Sequence, residues 1–171
     1  MNFELRPAQP DDAPTIHALI TGLAVYEREP DAVEVMVDTL RQQLALAHPP
    51  FECLLAERTD DTEPRDGAQA SREALGFALF FQSYSTWRGK PGLYLEDLFV
   101  IPEARGAGIG KALLRRLAAI AVERDYGRME WAVLNWNQPA IDFYQSLGAS
   151  PLDEWTTYRL TGDALLALGA K

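Results

Sequence analysis

Residues 105–111 read Arg-Gly-Ala-Gly-Ile-Gly-Lys and combine a flexible backbone with positive charge at both ends. They follow a strand-like stretch at 94–100 and precede apolar residues at helical spacing, from Leu113 to Ala121. Unpaired N–H groups at a helix start, together with the helix dipole, favour a bound anion. The spacing therefore predicts a phosphate-binding loop. Its residues are Arg105, Gly106, Ala107, Gly108, Ile109, Gly110 and Lys111.

The positions of the glycines disfavour two common nucleotide-binding loops. A P-loop has a glycine five positions before its Gly-Lys pair and Ser or Thr after it, where this chain has Arg105 and Ala112. A dinucleotide-binding loop has a third glycine at the position of Lys111 and opens a domain, whereas this loop lies past the middle of the chain. A tight turn from strand to helix, without a ligand, is the alternative that the glycines alone leave open.

Two acidic residues, Glu96 and Asp97, lie in the strand-like stretch just before the loop. A carboxylate there is suited to bind an alkylammonium group, whose pKa of about 10.4 leaves little free amine at neutral pH, and to accept its proton. Successive side chains of a strand point to opposite faces, so we assign Glu96 to the pocket and Asp97 to the other face. The alternative is that Glu96 is an ordinary carboxylate on a solvated strand face, with no part in a pocket.

A second segment whose residues could take part in a reaction begins at Asn137. The stretch at 129–134 is typical of a buried strand, and residues 137–149 are typical of a helix capped by Asn137 and ended by Gly148. This helix carries the phenol of Tyr144. On helical spacing alone, a packing role for Tyr144 in the core, beside Phe143, is favoured.

Both segments resemble motifs of the GCN5-related N-acetyltransferases. Arg105, Gly108 and Gly110 match the motif Arg/Gln-x-x-Gly-x-Gly/Ala, and residues 137–149 match the later Asn-x-Pro-Ala-x-x-Phe-Tyr motif of that family. The resemblance implies acetyl-CoA as co-substrate, with its pyrophosphate at the loop. Besides the loop, it assigns contacts with acetyl-CoA to Leu98, Phe99, Val100, Asn137, Pro139 and Ala140.

Longer matches resemble one branch of that family, the diamine (spermidine/spermine) and thialysine N-acetyltransferases. They include Tyr-Leu-Glu-Asp-Leu-Phe-Val at 94–100, Trp-x-Gly-Lys at 87–90 and Trp-Asn-x-Pro at 136–139. The resemblance implies a small-molecule amine as acceptor, Tyr26 and Glu27 as lining of the amine site, and a homodimer. Which polyamine, diamine or thialysine-like amino acid is the acceptor stays open.

The same resemblance implies direct attack of the amine on the thioester. Tyr144 corresponds to a tyrosine that faces the thioester sulfur, so we expect it to protonate the departing thiolate as a general acid. We expect Glu96 to accept the proton of the amine, while backbone N–H groups of residues 98–100 polarise the thioester carbonyl. Cys53 lies in an apolar run and no Ser-His-Asp spacing is present, so an acyl-enzyme is not expected.

Composition limits the remaining possibilities. With 171 residues the chain has the size of one domain, and we expect a single domain over 1–171. The formal charge of −9 argues against a nucleic-acid partner. The chain has no long apolar run and no leader-like N-terminus, so we expect no membrane partner and a cytoplasmic location. One cysteine, and His17 and His48 without ligand spacing, predict no disulfide and no metal site.

The elements that must position these residues alternate in type along the chain. Periodicity predicts strands at 3–8, 52–57, 75–82, 94–100, 129–134 and Trp155–Leu160, and helices after Asp12, at 33–46, after the loop and at 137–149. The polar stretch 58–73 is expected to be a loose hairpin connection. This order matches the acyl-CoA N-acyltransferase fold, an α/β (α+β) class with a mixed, mostly antiparallel sheet and helices on both faces.

Two other functions remain open at this stage. One is a protein or peptide acetyltransferase that acts on lysine or N-terminal amines. The other is an acyl-CoA-binding sensor that does not turn over. The acidic charge does not separate a cationic small molecule from a cationic peptide, whereas Glu96 and Tyr144 favour catalysis over sensing.

Overall fold

The computed structural model describes residues 1–59 and 73–170. The strands are β1 (Phe3–Pro7), β2 (Glu52–Arg58), β3 (Ala74–Ser85), β4 (Lys90–Val100) and β5 (Met129–Trp131). The helices are α1 (Ala13–Tyr26), α2 (Val37–Leu44), α3 (Ile109–Glu123), α4 (Gln138–Ser146) and α5 (Gly162–Gly169). Short 3-10 turns lie at Pro10–Asp12, Pro30–Ala32 and Pro102–Ala104. Most of the connection expected at 58–73 lies outside the described residues.

The strands form one five-stranded sheet in the order β1-β2-β3-β4-β5. Pairing is antiparallel from β1 through β4, and β5 joins β4 in parallel. A parallel neighbour needs a crossover connection, which α3 supplies between β4 and β5. The expected mixed, mostly antiparallel sheet is confirmed.

Helices cover both faces of the sheet. On one face, Leu55, Phe77 and Phe99, which are paired across β2, β3 and β4, pack against Ile16 of α1. The alternation of strand side chains turns Leu54 to the opposite face. There α3 contacts β2, β3 and β4 and buries its apolar side, so the expectation of helices on both faces is confirmed.

Residue contacts divide the chain into two compact units, Met1–Ala132 and Val133–Lys171. The first unit contains the sheet and α1 to α3, and the second contains α4 and α5. A single domain over the whole chain therefore stays a prediction. Among residues 1–59 and 73–170, no helix has both the length and the apolar character needed to cross a membrane.

The strand predicted at Trp155–Leu160 is wrong. These residues form no strand, and Trp155 and Tyr158 are 69% and 92% exposed. The alternation of Trp, Thr, Tyr and Leu fits a pleated surface, but a strand also needs a neighbour for its backbone groups. The following helix, α5, was not predicted, and the buried strand expected at 129–134 ends at Trp131.

An ion-pair network centred on Arg6 ties the N-terminal strand to its neighbours. The two Nη atoms of Arg6 each donate to one carboxylate oxygen of Asp12 at 2.7 Å, and Nη2 also donates to Oε1 of Glu57 at 2.6 Å. The side chain of Glu57 is only 8% exposed. Asp12 accepts a further hydrogen bond from the backbone N–H of Gln9. Arg6 is therefore the cation that pairs with the buried carboxylate of Glu57.

We expect Arg6→Ala to lower the free energy of unfolding by about 2–3 kcal/mol, because it strands the Glu57 carboxylate without its cation. Arg41→Ala, which removes an exposed pair with Asp38, is the control and should cost less than about 0.5 kcal/mol. Urea unfolding at pH 7 measures both losses, and equal losses would contradict the importance of the Arg6 network.

Arg6 also lowers the pKa of Asp12 in the folded protein. The stabilisation from the Arg6–Asp12 pair is therefore present above pH of about 4 and is lost as pH falls through the lowered pKa of Asp12.

Candidate active site

The glycine-rich loop has the backbone of an anion-binding turn. Gly106 and Gly108 have φ angles of +81° and +84°, a region that residues with a side chain rarely adopt. Gly108 is the N-cap of α3, and the first helical N–H with an acceptor in the helix is that of Ala112, which donates to Gly108 O at 3.0 Å. The N–H groups of Ile109, Gly110 and Lys111 therefore precede the first helical hydrogen bond, a position that favours a bound anion. That the loop binds a phosphate stays a prediction.

Burial of one side chain anchors this loop. Ile109, in the first turn of α3, is 1% exposed, while Gly106, Ala107, Gly108 and Lys111 are exposed. The backbone of the loop is therefore exposed to solvent, while the buried Ile109 side chain holds the loop in place. A pyrophosphate needs this combination, because rigid N–H donors lose little freedom when they bind it.

β4 separates from β5 just before the loop. The parallel pairing covers Leu93 with Met129, Tyr94 with Glu130 and Leu95 with Trp131, and then ends. β4 itself continues to Val100, still paired with β3. In the described structure, residues 96–100 therefore have no strand on their β5 side. Backbone groups of Leu98, Phe99 and Val100 lie in this segment, where the sequence places contacts with acetyl-CoA.

β4 also carries a bulge at Glu96. Leu95 pairs with Phe80 and Asp97 pairs with Leu79, so Glu96 is the extra residue of β4 against β3. A bulge breaks the alternation of side chains along a strand. The alternation of side chains is therefore interrupted between Leu95 and Asp97, and the assignment of Glu96 and Asp97 to opposite faces stays a prediction. Asp97 shares its register position with Leu79, which belongs to the core beneath α1.

Two carboxylates, Glu96 and Asp97, lie at this bulge, and the charge of a third, Glu27, acts on Asp97. Burial, followed by the negative charges of Glu96 and Glu27, raises the pKa of Asp97 to about 6. Burial also raises the pKa of Glu27, the residue that follows α1. Among the described residues, no cation forms an ion pair with these three side chains. This carboxylate cluster of Glu27, Glu96 and Asp97 favours a bound cation, which would relieve the mutual repulsion.

Aromatic side chains border the carboxylate cluster. Burial, then the charges of Glu96 and Glu130, raises the pKa of Tyr94, whose partner in register on β5 is Glu130. The Tyr94 ring lies 5.2 Å from that of Phe81, measured between centroids. Tyr26, the last residue of α1, directly precedes Glu27. An alkylammonium group is bound by carboxylates next to aromatic faces, so these residues fit an amine site.

Sequence reasoning assigned Glu96, Tyr26 and Glu27 to the amine site but missed Asp97 and Tyr94. Glu96 is exposed, and its charge acts on both Asp97 and Tyr94. The missing signal was the bulge, which depends on the register of β4 against β3 and leaves no mark in the local pattern of residue types.

The second unit contains the other predicted site residues. Asn137 is the N-cap residue of α4 and is buried, and its carbonyl accepts hydrogen bonds from the N–H groups of Ala140 and Ile141, both at 3.1 Å. Its side chain makes no capping hydrogen bond. Pro139 lies in the first turn of α4. Asn137 therefore occupies the predicted N-cap position, but its side chain does not cap the helix.

Tyr144 lies in the last turn of α4, half-buried, with its ring 5.5 Å from that of Phe143. Gly148 has a φ of +89°, and its N–H donates to Gln145 O at 2.9 Å. This left-handed glycine ends the helix as the sequence predicts. The position of Tyr144 on a short, well-terminated helix is thus confirmed, while its chemical role stays a prediction.

Other reactive side chains fit structural roles. Cys53 is buried, and burial raises the pKa of its thiol, so the nucleophilic thiolate is disfavoured. One ring nitrogen of His17, Nε2, lies 3.1 Å from Val35 O. In residues 1–59 and 73–170, no group of three His, Cys, Asp or Glu side chains has the geometry to hold a metal ion.

The chain belongs to the acetyltransferase (GNAT) family, whose profile matches residues 16–149. It is 36% identical over 170 residues to the thialysine N-epsilon-acetyltransferase of Sus scrofa, covering 98% of this chain and 97% of that protein. It is 36% identical over 167 residues to the spermidine/spermine N(1)-acetyltransferase-like protein 1 of Homo sapiens, covering 96% of this chain and 23% of that protein.

A solved structure, that of an integron cassette protein from the mobile metagenome of V. cholerae, has the same fold. It matches with a TM-score of 0.78 and 26% identity, covering 100% of this chain and 99% of that one. The predicted family, branch resemblance and fold are confirmed. The protein is an N-acetyltransferase, and acetyl-CoA is the co-substrate that its family normally uses.

We expect Gly108→Ala to weaken binding of CoA about tenfold, because the left-handed backbone costs a residue with a Cβ about 1 kcal/mol and shifts the N–H groups that follow. Gly89→Ala is the matched control, since Gly89 has a φ of +61° in the hairpin turn between β3 and β4. It should lose similar stability yet bind CoA normally. Calorimetric titration with CoA compares the two, and normal CoA affinity in Gly108→Ala would contradict the assignment of the loop.

We expect kcat/KM for the amine to rise with pH with a midpoint of about 6, because the cation requires the ionised form of Asp97. In Asp97→Asn this step should disappear, whereas Asp31→Asn, on an exposed turn, should retain it. Rate measurements from pH 5 to 8 test this, and an unchanged step in Asp97→Asn would exclude Asp97 as the group that titrates.

The raised pKa of Asp97 also affects stability. As pH rises through about 4 to 6, the free energy of unfolding should fall in the wild-type protein relative to Asp97→Asn.

Proposed function

We propose that this enzyme transfers the acetyl group of acetyl-CoA to a primary amine of a small cationic substrate, a polyamine, a diamine or a thialysine-like amino acid. The observation that carries the proposal is the carboxylate cluster of Glu27, Glu96 and Asp97. These acidic side chains form no ion pair with the described residues; Glu96 and Asp97 lie on β4, and Glu27 directly follows α1. The names of the thialysine and spermidine/spermine relatives support the same class of acceptor.

The proposed reaction is a direct transfer. The ammonium group binds at the carboxylate cluster and gives a proton to Glu96, directly or through water, which frees the nitrogen lone pair. The nitrogen attacks the thioester carbon, and N–H groups at residues 98–100 stabilise the negative charge that develops on oxygen. The C–S bond then breaks, and Tyr144 gives its proton to the departing CoA thiolate. The attacking nitrogen loses its second proton to solvent, and solvent reprotonates Tyr144.

The contacts with acetyl-CoA follow the family motifs. The loop at 105–111 holds the pyrophosphate, the backbone of residues 98–100 holds the thioester end, and Asn137, Pro139 and Ala140 contact the pantetheine arm. We further propose that the chain acts as one domain, that it forms a homodimer and that it works in the cytoplasm without nucleic-acid or membrane partners. The family resemblance and the charge of −9 support these points.

The acceptor class is tested by acetylation of a panel of amines. We would incubate the protein with acetyl-CoA and spermidine, spermine, putrescine, thialysine, lysine, an aminoglycoside or a lysine peptide, and follow free CoA and product mass. The proposal predicts acetylated products from small amines. Acetylation of the peptide alone would indicate a protein acetyltransferase, and tight acetyl-CoA binding without any product would indicate a sensor.

We expect Tyr144→Phe to lower kcat about 100-fold while acetyl-CoA still binds, because the change removes only the proton donor. Tyr158→Phe removes the same hydroxyl from a side chain that is 92% exposed and should leave kcat unchanged.

Glu96→Gln should lower kcat/KM for the amine by about tenfold or more, with Glu34→Gln, on the exposed surface, as its control. Steady-state kinetics with direct CoA titration checks both, and unchanged kcat in Tyr144→Phe would remove Tyr144 from the acid role.

A further inference from the structure

An ion pair at the edge of the sheet has no part in the function proposed above. Arg128 directly precedes β5, the last strand of the sheet, and Glu130 lies in that strand. The Nε atom of Arg128 is 2.6 Å from Oε2 of Glu130. Both side chains are partly exposed, and Glu130 is the register partner of Tyr94 on β4. Solvent, and hence a small molecule, therefore reaches both charges.

The pair shares a sheet face with aromatic residues of the amine site. Phe81, Tyr94 and Glu130 are register partners across β3, β4 and β5, and register partners point to the same face. Leu79 lies two residues before Phe81 on β3, so it points to this face as well, and it packs in the core beneath α1. The face therefore runs from that core, across two half-buried rings, to Glu130.

Arg128 is held against the surface of the sheet. A Cβ at Gly92 would lie 3.2 Å from Cγ of Arg128 and 2.8 Å from Oγ of Ser83, so the missing side chain at Gly92 makes room for the arginine. Nη1 of Arg128 donates to Oγ of Ser85 at 3.4 Å. A guanidinium carries further N–H donors beyond the contacts with Glu130 and Ser85, and these donors are suited to a carboxylate.

Moving away from the carboxylate cluster, this face presents its groups in a fixed order. Tyr94 lies two residues before Glu96 on β4, and Glu130 lies beside Tyr94 on β5. With a rise of about 3.3 Å per residue and about 4.8 Å between strands, the α-carbons of Glu96 and Glu130 are roughly 8 Å apart. Burial raises the pKa of Tyr94, and the charges of Glu96 and Glu130 raise it further, in agreement with this arrangement. Arg128 lies two residues beyond Glu130. The order is therefore negative, aromatic, negative and positive.

An α-amino acid with an amine at the end of its side chain carries its charges in the matching order. Its side-chain ammonium suits the carboxylate cluster, and its α-ammonium and α-carboxylate suit Glu130 and Arg128. In an extended lysine-like side chain the amine nitrogen and the α-carbon are roughly 6 Å apart, which is compatible with the spacing of the strands. A diamine or polyamine has no carboxylate, so it places only positive charge beside Arg128.

We propose that Arg128 and Glu130 form a specificity-determining site that binds the α-ammonium and α-carboxylate of a diamino acid acceptor. Glu130 binds the α-ammonium, Arg128 binds the α-carboxylate, and the chain between the two amines crosses Tyr94 and Phe81. The enzyme therefore prefers a diamino acid to a diamine or polyamine. This inference rests on the function proposed above, in which the carboxylate cluster binds the amine that is acetylated.

The inference is tested with pairs of acceptors that differ only by the α-carboxylate. The pairs are thialysine with bis(2-aminoethyl) sulfide, and lysine with cadaverine, each assayed with acetyl-CoA by CoA release and product mass. In the wild-type protein we expect kcat/KM to be higher for the amino acid by about tenfold, chiefly through KM, because a hydrogen-bonded ion pair with Arg128 is gained.

Two variants separate the roles of the two side chains. Arg128→Gln should bring the ratio of kcat/KM within each pair to about 1, because the amino acid loses its ion pair and the diamine loses a repulsive charge. Glu130→Gln should lower kcat/KM by about threefold for both members, since both present an ammonium at this end. The control is Arg116→Gln, which removes an exposed ion pair with Glu123 on α3 and should leave the ratio unchanged.

Equal kcat/KM within both pairs in the wild-type protein would overturn the inference, and so would an Arg128→Gln variant that retains the preference. If Arg128→Gln does not fold, the wild-type ratios decide the outcome. Failure of the proposed function gives a different result, because then neither these acceptors nor spermidine and spermine are acetylated. Acetylation of both members of each pair at equal kcat/KM removes the specificity site alone and leaves the proposed function intact.

Discussion

The site depends on the incomplete pairing of β4. This strand is held by β3 along most of its length but by β5 for three residue pairs only, from Leu93 to Leu95. Beyond that point one edge of β4 is left for a ligand, and the strand leads directly into the loop and α3. The bulge at Glu96 lies where the pairing with β5 stops, so the carboxylates and the free strand edge occur together. The proposed contacts with the acetyl donor and with the amine acceptor would therefore lie along one strand.

The structure contains two groups of carboxylates with contrasting surroundings. Near β1, Asp12 and Glu57 share the guanidinium of Arg6, which offsets the cost of removing charge from water. At the bulge, Asp97 is partly buried beside Glu27 and Glu96, and the described structure supplies no cation. The first arrangement stabilises the fold. The second disfavours the ionised form, and a cost of this kind is typical of a binding site that is completed by a cationic ligand.

Local patterns predicted the parts of the structure that depend on local chemistry. The glycines at 106 and 108, the start of α3 and the end of α4 at Gly148 follow from backbone conformation and helix termini, which neighbouring residues decide. The strand expected at Trp155–Leu160 is absent and the bulge at Glu96 was not predicted, because pairing partners and register are set across the sheet. The stack of Arg105 on Tyr26 joins residues distant in sequence, and no local pattern indicates it. The fold class was predictable from the sequence, whereas the bulge and the place of Asp97 in the carboxylate cluster were not.

The central claim is that β4 and its loop bind both substrates side by side. The most direct test is a crystal structure of the protein with CoA and thialysine, or with spermidine. The account predicts the CoA pyrophosphate within hydrogen-bond distance of the N–H groups of Gly108 to Lys111, and the amine nitrogen among the carboxylates of Glu27, Glu96 and Asp97. A pyrophosphate bound away from the loop, or an amine nitrogen bound away from all three carboxylates, would contradict it.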